Sequence, residues 1–230
     1  MATAAILFDL FGTVVGYGDV ARGTEESWRG IYDVIQRRGV ACKYDDFVRD
    51  WESNFLEPLS PDHNRSMTPF MAKLMRMLRR YGLPADPDAA REAMFNCLSA
   101  WDAYIYLPDD AIATLQALRQ RFPTALVSNF DHPPYARGLL DRLGLTALFD
   151  YIVISGEVWV DKPDPRIFCL ALDALSCAPD ETLFVGDSLS PDIAGSRAVG
   201  CRPVLIDMDG RHPDYSGERI TRLSELLTLV

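Results

Sequence analysis

The chain is 230 residues long, enough for one large domain or for a core domain carrying an insert. Hydrophobic residues make up 48% and charged residues 24%, the balance of an ordinary soluble globular protein. A formal net charge of −10 argues against nucleic acid or an anionic membrane surface as the main partner, though a bound metal could still reverse the local field for a small anionic molecule.

No uninterrupted apolar run approaches membrane-spanning length, and the first strand is entered without a basic leader or a cleavage signature. The cysteines (Cys42, Cys97, Cys169, Cys177, Cys201) form an odd set with no C-x-x-C pair. Such a set suits buried free thiols in a reducing compartment better than disulfides or zinc, so a cytoplasmic location is expected.

The apolar run over residues 4–8 predicts a strand buried on both faces. It ends in Asp9, and Gly12-Thr13 then breaks the strand. Ligands of open α/β sheets bind beyond the carboxyl ends of the strands, which places Asp9 where chemistry can occur. Residues 14–19, with Gly16 and Gly18, are expected to form a flexible turn suited to a flap. From about residue 22 to residue 106 the alternation of strand and helix stops. Trp28, Ile31, Val34 and Ile35 recur at helical spacing up to Gly39. Phe47, Trp51 and Phe55 mark a second helix ended by Pro58, and Phe70, Leu74, Leu78 and Tyr81 a third closed by Gly82 and Pro84. Asp86-Pro87, a cap followed by proline in the first turn, opens a fourth through Met94, Leu98 and Trp101. These aromatic and methionine stripes read as bundle core. Residues 61–65 read as a polar loop in which His63 is solvated.

Pro108-Asp109-Asp110 starts a helix through Ile112, Leu115, Leu118 and Phe122, and the α/β rhythm returns. Strands are expected over residues 124–127, 151–154, 182–185 and 204–207. Helices are expected through Leu139, Leu140 and Leu143, through Ile167, Phe168, Ala171, Leu172 and Leu175, over 193–199 and over 223–227. The pattern predicts an α/β fold, a doubly wound parallel sheet with helices on both faces. Residues 1–15 and 108–230 form this core, and residues 16–107 form an inserted all-helical domain.

Laying those strands side by side brings Asp9, Asp187 and Asp192 to one edge against one cation, Lys162. Clustered carboxylates force one of their number to take up a proton unless a cation intervenes. Oxygen-only ligands suit Mg2+, which keeps several waters and commonly shares a site with phosphate. Ser128 and Asn129 offer hydrogen bonds, and a helix beginning near Pro191 offers positive dipole character. Such a site suits an anion attacked in line by a carboxylate.

The ordered set Asp9-x-Phe11-Gly12-Thr13, Ser128-Asn129, Lys162-Pro163-Asp164-Pro165-x-Ile167-Phe168 and Gly186-Asp187-Ser188-x-x-x-Asp192 resembles the haloacid dehalogenase superfamily of hydrolases. The helical insert is similar to that superfamily's helical cap. The resemblance implies a Rossmann-like core and Asp9 as a nucleophile forming a covalent aspartyl intermediate. It implies Ser128 and Lys162 as ligands of the transferring group, with Gly12, Thr13 and Asn129 also lining the substrate. Mg2+ would be held by Asp9, Asp187 and the main-chain carbonyl of Phe11, with Asp192 supporting it directly or through water. The partner implied is a small anionic substrate, and the chain is expected to be a monomer or homodimer.

One position departs from the superfamily's phosphatases, which carry a second Asp two residues after the nucleophile to protonate the leaving oxygen. Here that position is Phe11. General acid–base catalysis is worth roughly 10²–10⁴-fold, so alkyl phosphates should turn over slowly unless another group substitutes; Asp131 and His132 are candidates. The superfamily's L-haloacid dehalogenases carry Tyr there and its phosphonoacetaldehyde hydrolases Ala. Dehalogenases also use Ser-x-Asn where this chain has Gly186-Asp187-Ser188, a Tyr where it has Phe168, and a cap Arg whose nearest counterpart is Glu52. Phosphonoacetaldehyde hydrolases need a cap lysine, for which Lys43 and Lys73 are available. Three readings stand. The favoured one is a Mg2+-dependent phosphatase or phosphotransferase. The others are a hydrolase of a bond needing no leaving-group proton, such as carbon–halogen, and a non-catalytic binding module.

Overall fold

A computed structural model describes residues 3–60, 66–84 and 86–230. The loop expected over residues 61–65, with His63, lies outside the described residues. In chain order the elements are β1 (Ala5–Phe8), β2 (Gly16–Tyr17), α1 (Val20–Arg37), α2 (Tyr44–Leu56), α3 (Pro69–Arg80), α4 (Pro87–Asp102) and β3 (Ile105–Tyr106). There follow α5 (Ala111–Arg119), β4 (Thr124–Ser128), α6 (Pro133–Arg142), β5 (Tyr151–Ile154), α7 (Ser155–Val158), α8 (Pro165–Leu175) and β6 (Thr182–Gly186). A π-helical turn (Leu189–Ala194) then leads into α9 (Gly195–Ala198), β7 (Arg202–Ile206), β8 (Arg219–Ile220) and α10 (Leu226–Leu229).

The chain divides into two units, one of Met1–Gly16 with Tyr106–Val230 and one of Tyr17–Ile105. In the first, six parallel strands flanked by helices run in the order β5-β4-β1-β6-β7-β8. β1 is central and wholly buried, which is why its sequence is apolar at every position rather than alternating. Its neighbours come from later in the chain on either side, so a crevice opens beyond the carboxyl ends of β1, β4 and β6. The register levels those ends: Phe8 pairs with Leu126 on one side and Val185 on the other. Asp9, Ser128 and Asp187 therefore share one rim.

The second unit is a bundle of α1 to α4. Ile31, Val34, Ile35, Phe47, Trp51, Leu74, Met77 and Leu78 form its buried core, as their helical spacing requires. Asp19 caps α1 by accepting from Arg22 N, and Thr68 caps α3 by accepting from Met71 N. Asn54 is a polar exception inside this core. It donates to Lys73 O and accepts from Arg76 Nε, at 3.0 Å each, which ties α2 to α3. Among the described residues no helix is long and apolar enough to cross a membrane.

Several local expectations are corrected. Residues 14–19 are not a loose flap: Val14 and Val15 are fully buried, both donate to Leu10 O at 2.9 Å, and β2 pairs with β3. The helix expected over 193–199 begins at Leu189 in π form, with Ile193 N bonding back to Ser188 O. β8 and α7 were not expected; each is too short to show a period.

Candidate active site

Asp9 lies just past the end of β1, where its N–H still donates to Val185 O across to β6 at 2.9 Å. The backbone then turns on Gly12, whose φ of +84° is left-handed. A Cβ on Gly12 would stand 2.5 Å from Asp187 Oδ2, so only glycine allows the first and last motifs to approach this closely. Gly186 does the same for Asp192, whose Cβ would meet the added methyl at 2.5 Å.

Lys162 reaches this rim from the segment before α8. Its Nζ donates to Asp9 Oδ1 at 2.5 Å and lies 2.7 Å from Asp192 Oδ1, and all three side chains are buried. The contact with Asp192 is an ion pair rather than a well-directed hydrogen bond. Asp192 Oδ2 accepts the Ser188 N–H at 3.0 Å, so both oxygens of Asp192 are engaged inside the protein. Asp187 Oδ1 accepts from Ser188 Oγ at 3.1 Å, and Oδ2 accepts from Arg211 Nη2 at 2.9 Å.

The charge balance follows from these contacts. One oxygen from each of Asp9, Asp187 and Asp192 lies within 4.8 Å of the others. Burial pushes Asp9 up to about 7, Asp192 and Asp187 push the same way, and Lys162 opposes them. Burial and Asp192 also raise Asp187, against Arg211 and Ser188. Burial works against the Lys162 ammonium, but Asp9 and Asp192 outweigh it and hold its proton more tightly than usual. The three shifts share the surplus of negative charge at the site, which burial reinforces for the carboxylates and opposes for the lysine. A hard cation relieves it, and the oxygen-only donor set fits Mg2+.

Two hydroxyls, Thr13 Oγ1 and Ser128 Oγ, are buried and find no hydrogen-bond partner among the described residues. An orphaned buried hydroxyl costs roughly 1–3 kcal/mol, which an anionic oxygen of a ligand would offset.

The other expected site residues have partners within the protein. Asn129, expected to touch substrate, spends both ends of its amide on Lys162: Nδ2 donates to Lys162 O at 2.9 Å and Oδ1 accepts from Lys162 N at 2.7 Å. It holds the lysine. Gly12 was also expected at the substrate; its N–H donates to Val15 O at 2.7 Å and closes the turn. The Phe11 ring stacks on Phe130 with centroids 4.8 Å apart, and Phe130 stacks on Tyr135 at 5.5 Å. Phe130 N in turn donates to Ser155 Oγ at 3.0 Å. Burial lowers the His132 pKa, so its imidazole is neutral near pH 7 and is poorly suited to give up a proton there. Phe168 is buried edge-on to Phe184 and belongs to the core. In the other unit Lys73 Nζ sits 4.0 Å over the Phe55 ring, and Lys43 and Glu52 are exposed.

The expected balance of three carboxylates against Lys162 alone is incomplete. Arg211 adds a second cation, presented by a loop that Asp207 organises. Asp207 Oδ1 accepts from Arg211 N at 2.7 Å and Oδ2 from His212 N at 3.0 Å. Arg211 stands 24 positions from Asp187 with no spacing rule linking them; the only local signal is Asp207 at a strand end followed by a turn with Gly210.

A parallel sheet whose rim carries a buried carboxylate pinned by a lysine, beside further carboxylates suited to a cation, is the arrangement that the motif resemblance led one to expect. A family profile of haloacid dehalogenase-like hydrolases matches residues 3–200, and the chain belongs to that family. It is 36% identical to a ribulose-1,5-bisphosphate 5-phosphatase from Halopiger xanaduensis over 90% of this chain and 85% of that protein. It is 34% identical to a phosphoserine phosphatase from Thermus thermophilus over 61% of this chain, a match spanning only 56% of that protein. Its fold is similar to the crystal structure of a 2-haloacid dehalogenase from Pseudomonas syringae, with a TM-score of 0.71 at 20% identity over 99% of this chain and 97% of that one.

Proposed function

We propose that the chain is a Mg2+-dependent phosphatase acting on a small phosphorylated molecule, with Asp9 as nucleophile. The observation that carries this reading is the surplus of buried carboxylate around Asp9. Displacement of halide needs one carboxylate and no cation, whereas binding and transfer of a phosphoryl dianion beside a carboxylate needs the charge offset. Asp9 and Asp187 would hold the metal. Asp192, with both oxygens engaged, acts as a positioning residue for Lys162 and Ser188. When bound, Mg2+ supplies charge neutralisation that lets a carboxylate approach the phosphoryl oxygens.

The protein's own groups do the rest. Lys162 fixes the plane of Asp9 by holding one oxygen and offers positive charge to the transferring group. Ser128 Oγ and Thr13 Oγ1 donate to its oxygens. The carboxylate forms a bond to phosphorus as the bond to the leaving oxygen breaks with its electron pair. Water then cleaves the aspartyl phosphate, releasing orthophosphate and restoring Asp9. Phe11 has no proton to give, so the leaving oxygen takes one from solvent. The odd cysteine count without a C-x-x-C pair supports a reducing, cytoplasmic compartment.

Turnover of p-nitrophenyl phosphate, measured with Mg2+ and in excess chelator, tests this reading. Activity should require the metal and vanish in Asp187→Asn, which removes charge but little volume. Equal rates in chelator would sink the metal assignment. The packing of Phe11 against Phe130 favours a second reading, cleavage of a bond whose leaving group needs no proton. Metal-independent halide release from a 2-haloacid, with no phosphatase activity, would select it.

A further inference from the structure

We infer that Arg211 is a displaceable counter-ion of Asp187 that couples cation binding to anion binding at the site. The inference rests on the metal reading of Asp187 and extends it to a residue outside every sequence motif. Arg211 Nη2 donates to Asp187 Oδ2 at 2.9 Å, the oxygen that faces Gly12. A divalent cation and a guanidinium on one carboxylate oxygen repel each other, so the bound metal must shift Arg211 or bind more weakly because of it.

The two partners are built unequally. The Asp187 side chain is 10% exposed and held by Ser188, whereas that of Arg211 is 52% exposed and can move. The Arg211 backbone is held, because the buried Asp207 carboxylate binds the N–H groups of both Arg211 and His212. Arg219 in turn donates to His212 O at 2.9 Å and stands 3.5 Å from Asp207 Oδ2. The loop thus delivers a mobile cationic tip from a fixed base to the edge of the carboxylate cluster. An anion arriving there offers the guanidinium a bidentate partner. Arg211 then leaves Asp187 to the metal, so each ligand raises the affinity of the other, as linkage requires.

The test is calorimetric binding of Mg2+ to the full chain, wild type against Arg211→Gln and Arg211→Ala, with and without saturating inorganic orthophosphate. Melting curves first establish that the variants are folded. Without phosphate the variants should bind Mg2+ roughly five-fold or more tightly than wild type. Phosphate should tighten Mg2+ binding more in wild type than in either variant. Equal Mg2+ affinities without phosphate, or an undiminished phosphate effect in both variants, would overturn the role of Arg211 while leaving the metal site standing. Absence of Mg2+ binding in all three proteins, with or without phosphate, would overturn the metal reading and this inference together.

Discussion

Lys162 Nζ and Asp9 Oδ1 meet at 2.5 Å with both side chains buried, and the same ammonium lies 2.7 Å from Asp192. The lysine is the common counter-ion of two carboxylates that come from opposite ends of the chain. Lys162→Met keeps the length of the side chain and removes its charge. Breaking a buried pair in this way costs about 3–5 kcal/mol at neutral pH. Asp9 already has a raised pKa in the native state, and losing Lys162 raises it further. A carboxylate with a raised folded-state pKa is penalised above its unfolded pKa and relieved below it. The deficit of Lys162→Met, read by urea unfolding in chelator, should therefore shrink as pH falls towards 4. A deficit independent of pH would show that lost packing, not lost charge, is responsible.

The Asn129 side-chain amide binds the backbone of Lys162 through two hydrogen bonds, donating to its carbonyl and accepting from its N–H. Asn129→Ala leaves a buried N–H and a buried carbonyl without partners, at roughly 1–3 kcal/mol each when unsatisfied. The variant should melt at lower temperature and lose kcat more than it raises KM, because the lysine is displaced rather than removed. A pure KM effect on an aryl phosphate would instead restore Asn129 as a direct substrate ligand.

Phe11 fills the place of a proton donor with a ring stacked on Phe130. Phe11→Asp should raise turnover of alkyl phosphates far more than of aryl phosphates, since an alkoxide must be protonated as it leaves and a nitrophenolate need not be. The gain has a ceiling of roughly 10²–10⁴-fold. Losing the stacked pair costs about 1–3 kcal/mol of stability, so Phe11→Leu serves as the packing control. If Phe11→Asp is folded and the alkyl-to-aryl ratio stays flat, the missing donor does not limit this protein.

Asp150 pins the start of β4 from the residue before β5. Its Oδ2 accepts from Thr124 N at 3.0 Å and its Oδ1 from Arg119 Nη2 at 2.9 Å. The Thr124 N–H first, and then Arg119, outweigh its partial burial and hold the carboxyl below its usual pKa. A depressed folded-state pKa contributes stability above the unfolded value near 4, and that contribution disappears as pH falls through the folded value. Asp150→Asn keeps the shape and loses the charge. It should be less stable than wild type at pH 7, by under about 1 kcal/mol for so exposed a pair. At pH 3 or below the two chains should converge, and equal stability at pH 7 would remove the carboxylate from any structural role.

The chain by itself determined the elements with a strong local signal. Unbroken apolar runs such as Ala5–Phe8 are strands that the sheet buries on both faces, and stripes such as Phe70, Leu74 and Leu78 are one side of amphipathic helices. The chain also named Asp9, Lys162, Asp187 and Asp192, through the ordered set of short motifs that carries the family resemblance. Tertiary structure decided what those residues touch. Asn129 was legible as a polar residue beyond β4, but its partner lies 33 positions away, and only the folded backbone brings it against Lys162. The same holds for Arg211, whose guanidinium meets Asp187 because β7 ends beside β6 and Asp207 bends the loop back over the rim. Backbone preferences act over a few residues and leave their mark in the sequence. A charge pair such as Arg211 with Asp187 forms through space, and no motif in the chain records it.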